Sequence, residues 1–324
     1  MICALALVAW SSLARAHPVS DWELLHLPRL PREIAGALAE RGLPDSAGLV
    51  GANRDGWDHV AHQRHALLAL RLAAARGDEV LAERAWPAID AAFARQTREG
   101  GFATRSGVSR AENLGATSLW LGELAQTLLV LESGPLRGWF RTRTQALRPR
   151  VLLLRRWLMS GARELERVNR RTASGALRDA LAFTLAGELD HDARVLEEGR
   201  RFLRRALTLA RKDGRLLEPA PALEAHGASL LRLQVLDIYY PSFANGVAIG
   251  RGAQWLITAL ARRPVVAPPS ATDSLGARAG VSELILALLY RAELAEDPKA
   301  AAAARQAFER WRADERPLSG RGRP

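Results

Sequence analysis

Two hydrophobic patterns alternate along this chain. Five stretches, 59–76, 110–131, 169–189, 226–239 and 277–295, are apolar on almost every side of a helical projection. A helix with that pattern must be enclosed by others. Between them lie stretches with one apolar face and one charged face, 78–95, 136–165, 191–211, 245–262 and 298–313. In 191–211 the apolar face carries Leu196, Gly199, Leu203, Ala206 and Ala210, while the opposite face is Arg and Glu. That is the pattern of an outermost helix. Pro87 interrupts 78–95 and should start or kink a helix at Trp86. Pro28 and Pro31 break the lead-in segment 21–42.

The enclosed stretches also resemble one another. Glu112, Gly115, Ala116, Thr117 and Leu119 are echoed by Glu224, Gly227, Ala228, Ser229 and Leu231, and Gly175 and Gly280 head shorter copies. These glycines recur at steps of about fifty to sixty residues, a period that marks an array of one supersecondary unit. Both full copies follow a glycine-containing loop, Gly100 and Gly101 in one and Gly214 in the other. Ser109 and Glu112 have capping-box spacing at the head of the second apolar helix. The unit is therefore a helical hairpin. Helices apolar all round favour a closed ring over an open solenoid, so the expected fold class is all-α, an (α/α) toroid of about five to six helical hairpins. It should span residues 17–313, with a charged, Gly/Pro-rich tail at 314–324 expected to stay disordered.

Composition adds a compartment and a charge. The apolar run after Met1 ends in Ala14-Arg15-Ala16, a small-x-small site, so residues 1–16 read as a signal peptide and the mature protein as periplasmic or secreted. A buried first helix is the alternative. The single cysteine, Cys3, falls inside that segment, which leaves a cleaved protein without thiol chemistry. A formal charge of +11 favours polyanionic partners, and for an exported protein an acidic polysaccharide or oligosaccharide is the natural one. The arginines are scattered over outer faces, so no nucleic-acid recognition helix is expected. No run is long enough to span a bilayer stably. His59, His62 and His65 step by three and no paired-cysteine spacing exists, so neither a metal nor another cofactor is expected.

In a ring of hairpins the junctions between outer and inner helices open on one face, where inner helix N-termini favour anions. Site candidates are therefore the junction residues: His59, His62, Arg105, Arg110, Glu112, Asn113, Asn169, Arg170, Arg171, Glu218, Glu224 and His226. Capping and loop packing are the competing roles for each. Asn169, then Lys212-Asp213-Gly214, then His226 ahead of an apolar helix resemble the toroid region of polysaccharide lyases of the heparinase II/III and alginate lyase types. The resemblance covers 169–240. It implies β-elimination on a uronate polymer, with His226 as base, Asn169 with Arg170 or Arg171 neutralising the substrate carboxylate, and Glu224 beside them. Arg110, Glu112, Asn113, Glu218 and His62 would bind substrate. Arginine stands where the family has the first-motif histidine, and Ala225 where it has tyrosine. A glycoside hydrolase with paired carboxylates and a non-catalytic glycan-binding protein remain open beside the lyase.

Overall fold

The computed structural model describes residues 18–50, 60–103, 107–216, 223–262 and 276–315. Among the described residues the protein is all-helical, with no strand and two isolated β-bridges. The signal segment 1–16, the tail beyond 315, His59, Arg105 and Glu218 lie outside them.

The prolines of the lead-in act as expected. Helix α1 (Pro18–His26) gives way to a 3-10 turn at Leu27–Arg29, and α2 (Arg32–Arg41) starts directly after Pro31. The first apolar stretch is split into α3 (Val60–Gln63) and α4 (His65–Arg76). Its partner is split at Pro87 into α5 (Glu79–Ala85) and α6 (Pro87–Ala94). Then follow α7 (Arg110–Ser133), α8 (Arg137–Val168), α9 (Ala173–Leu189), α10 (Ala193–Thr208), α11 (Leu223–Tyr239), α12 (Phe243–Arg262), α13 (Gly276–Ala295) and α14 (Pro298–Glu315). One boundary matters for function: Asn169 does not head α9 but caps the C-terminus of α8.

The two patterns sort the helices into two layers. In α4 every residue from Ala66 to Ala74 is buried, Arg71 included, and α7, α9 and α11 are enclosed to a similar degree. Helix α7 is the described helix long and apolar enough to cross a membrane, but 83% of its apolar window is buried in the protein, which makes it a core helix. In the outer layer α8 buries Phe140, Thr144, Leu147, Val151, Leu154, Leu158, Ala162 and Leu165 along one stripe, at three- and four-residue spacing. Each fully buried leucine in that stripe contributes about 1.5–3 kcal/mol. The face of α10 is Val195, Gly199, Phe202, Leu203 and Ala206, one position off the expected line at its start because Leu196 is only half-buried.

Inner helices pack in order: α4 on α7, α7 on α9, α9 on α11 and α11 on α13. They run parallel, because contacts advance together along both members of a pair. Gly115 faces Arg178 and Gly122 faces Ala182, while Gly280 faces Glu224 and Gly227 faces Leu284. At Gly227 and Gly280 a Cβ would stand 2.6 and 2.5 Å from atoms of the facing helix, so these repeated glycines allow α11 and α13 to touch backbone to backbone. Helix α1 lies against α4, α7 and α11 and sets the Trp22 ring, tilted by 43°, against Tyr290 of α13, 4.5 Å between ring centroids. Contacts also join α2 to α14: Arg312 pairs with Glu33, and the Arg41 guanidinium lies 4.9 Å above the Trp311 ring.

The two glycine loops are equivalent tight turns. Gln96 bridges Phe102 in one and Ala210 bridges Leu216 in the other. Gly100 (φ 104°) and Gly214 (φ 92°) sit at their tips, where a Cβ would be 2.3 Å from the carbonyl oxygen of Leu153 or of Arg251 on the following outer helix. Only glycine satisfies both the positive φ and the close approach.

Candidate functional site

Placed in the structure, the junction residues separate. His226 is 2% exposed. Its Nδ1 accepts the Leu216 N–H at 3.4 Å, its Nε2–H donates to the Gly252 carbonyl at 3.0 Å, and its ring lies against Trp255. Burial holds its pKa below the ordinary histidine range, with the Gly252 carbonyl and Asp213 acting in the opposite sense. With both nitrogens committed to backbone, this imidazole has no lone pair for a substrate proton, and its place is to pin the Gly214 loop to α11 and α12. The expectation that it serves as base is corrected on that ground.

Asn169 is likewise committed. Its amide donates to Asp179 Oδ2 at 2.6 Å, which spends one of its two N–H donors on a buried carboxylate, and the residue is itself only 8% exposed. Glu112 closes the capping box with Ser109, accepting from the Ser109 N–H at 2.8 Å and its hydroxyl at 2.9 Å. Asn113 ties the first glycine loop to α7 by donating to the Phe102 carbonyl at 2.8 Å. Arg110 pairs with Glu164 and covers Trp157. Arg170 and Arg171 are exposed in the turn between α8 and α9, and Glu224 is half-buried in the first turn of α11 beside Gly280. For Arg110, Glu112, Asn113, Asn169 and His226, capping and packing prevail.

What the fold does bring together is a set of charges inside the apolar helices. A cavity of about 280 Å³ opens between α2, α4, α7, α11 and α13. Arg64, His65, Ser282 and Glu283 line it near the N-terminal ends of α4 and α13, and Arg71, Glu123, Leu231 and Leu286 line it further along. Glu283 Oε1 accepts from Arg232 Nη2 at 3.0 Å and from Arg64 Nη2 at 3.3 Å. Burial pushes the Glu283 carboxyl up, but the two guanidiniums outweigh it and hold the pKa below the ordinary value. Arg64 Nη1 also donates to His65 Nε2 at 3.2 Å. Burial, then Arg64, His62 and Arg41, keep His65 well below the usual histidine range, so its imidazole is neutral at pH 7.

Deeper, Arg71 bridges two carboxylates, with Nε 3.2 Å from Glu23 Oε2 and Nη1 3.2 Å from Glu123 Oε2. Glu23, on α1, is 0% exposed and accepts the hydroxyl of Tyr290 and the amide of Gln126. Its pKa is raised by burial against the opposing pull of Arg71, and Tyr290 is raised well above the phenol range by burial and by Glu23. Helix α1 is therefore tied to α4, α7 and α13 through a buried ionic cluster beside the cavity.

Chemically the cavity offers a neutral imidazole, guanidiniums beside it, and two carboxylates, Glu123 and Glu283, on different helices. Its residues were absent from the junction set, yet each breaks an apolar run: Arg71 within 66–74, Glu123 within α7, Arg232 within α11, Glu283 within α13. A charge in a helix enclosed on all sides must find a partner there, and that signal identifies them. No family model matches this chain, and no curated protein or solved structure matches it either.

Proposed function

We propose that the hairpins close into an (α/α) toroid and that its axial cavity acts on an acidic, uronate-containing polysaccharide by β-elimination, in a protein exported to the periplasm or beyond. Closure is supported by the Arg312–Glu33 and Arg41–Trp311 contacts between α2, in the lead-in, and α14, the last described helix. The observation that carries the chemistry is the pairing of His65 with Arg64 at the mouth of the cavity, where parallel inner helices begin.

The reaction needs an acidified C–H next to a carboxylate. A substrate carboxylate drawn to Arg64 would compete for the guanidinium now donating to His65 Nε2, and so free the lone pair of a neutral imidazole. His65 then takes the proton α to the carboxylate, the electron pair forms the double bond, and the bond from the β-carbon to the glycosidic oxygen breaks. On the same face of the sugar, the imidazolium can return that proton to the leaving oxygen.

The two carboxylates at the same cavity, Glu123 and Glu283, favour a second reading, a glycoside hydrolase. Incubation with a panel of uronate polymers separates the two. Ultraviolet absorbance of the unsaturated product, lost in His65→Ala, is the expected result; reducing ends without that absorbance, lost in Glu283→Gln, would establish hydrolysis instead. Silence in both assays with retardation on glycan-loaded gels would leave a binding protein.

A further inference from the structure

A second site stands away from the axis, in a groove of about 730 Å³ between α7, α8 and α9, a volume in the range that takes a small ligand. At its centre is Arg178. Its Nε donates to Asp179 Oδ1 at 3.0 Å, and Asp179, 0% exposed, is itself fixed by Ser118 (2.7 Å) and Asn169 (2.6 Å). Three donors thus hold one buried carboxylate, and that carboxylate holds the guanidinium by its inner nitrogen. Among the described residues neither Nη1 nor Nη2 of Arg178 has a hydrogen-bond partner, and its side chain is 21% exposed, so the outer edge of the guanidinium is presented to the groove. Gly115 makes the room: a Cβ there would stand 3.1 Å from Nη1 and 3.5 Å from Nη2. Leu119, Leu165 and Val168 give the groove an apolar side.

We infer that this groove binds a carboxylate-bearing ligand with an apolar flank, the carboxylate taking Nη1 and Nη2 of Arg178 side by side. A planar guanidinium with both outer nitrogens free matches a carboxylate in that two-point geometry. A buried anchor stops the side chain from wandering, so little entropy is lost on binding. The site shares no lining residue with the axial cavity and does not depend on the β-elimination reading. Its ligand could be a uronate residue of a glycan or a small aliphatic acid, which offer the same carboxylate.

Calorimetric titration of the full chain carrying Arg64→Gln, which disables the axial cavity, tests this with two probes, a galacturonate oligomer and hexanoate. Saturable binding of one of them is expected, weakened at least about tenfold by Arg178→Gln and equally by Gly115→Val, which fills the groove but leaves the charge. The probe that binds more tightly identifies the source. If neither probe binds, or if binding survives both substitutions in folded protein, the assignment is overturned.

Discussion

Replacing Arg71 by methionine tests the buried cluster that ties α1 to the inner helices beside the cavity. The substitution keeps most of the side-chain volume and removes the charge that faces Glu23 and Glu123 at 3.2 Å each. Glu123 retains 13% side-chain exposure and can recover water, whereas Glu23 has none. Left beside only the Tyr290 hydroxyl and the Gln126 amide, Glu23 escapes its desolvation by taking a proton. At pH 7 that costs about 4 kcal/mol for a carboxyl of ordinary unfolded pKa, close to the loss generally seen when one partner of a buried pair is removed. The sign of the pH dependence follows. A carboxyl with a raised folded pKa contributes stability fully present below its unfolded pKa and lost as pH rises through the folded one. The deficit of the variant should therefore shrink to about 1 kcal/mol near pH 5. Urea denaturation of wild type and Arg71→Met at both pH values measures it, and Glu23→Gln added to Arg71→Met should restore much of the loss. A deficit below 1 kcal/mol at pH 7, or one of the same size at both pH values, would refute the reasoning.

Three further outcomes are expected. His65 and His226 are held neutral, with folded pKa values below the unfolded one, so the stability they contribute is present above about pH 6.5 and lost as pH falls toward their folded values; in urea titrations between pH 7 and 5, His226→Gln should flatten part of the decline. Gly214→Ala forces a Cβ against the Arg251 carbonyl at positive φ and should cost about 1–3 kcal/mol, with Gly100→Ala matching it, whereas Gly246→Ala, where a Cβ meets nothing, should cost nothing measurable by the same method. Ser109→Ala removes the cap of α7 and should cost about 1 kcal/mol in thermal unfolding, more than Ser160→Ala on the exposed face of α8.

The sequence pattern and the structure agree on layers because burial is a property of a whole helix face. Phe140 to Leu165 read as one stripe and lie as one stripe, and the period of Gly115, Gly227 and Gly280 corresponds to close contacts between parallel inner helices. Chemistry followed a different rule. The junction residues, Glu112 and His226 among them, are used for capping and loop anchoring, the needs every hairpin shares. The cavity is built from what the copies do not share: Arg71, Glu123, Arg232 and Glu283 fall at unrelated distances from the repeated glycines. From sequence His65 reads only as the last of three histidines in three-residue steps, whereas beside Arg64 it is a neutral imidazole facing the cavity. Glu23 could not be linked to Tyr290 from sequence, since 267 residues separate them and only the packing of α1 against α13 brings them into contact.

The most direct test of the proposed site is a crystal structure of His65→Ala soaked with a uronate oligosaccharide. The account predicts sugar density in the cavity, with a carboxylate on Arg64 within hydrogen-bond distance and the oligosaccharide running past Glu283. Density confined to another face of the molecule, with Arg64 still paired to Glu283 and the cavity empty, would contradict it.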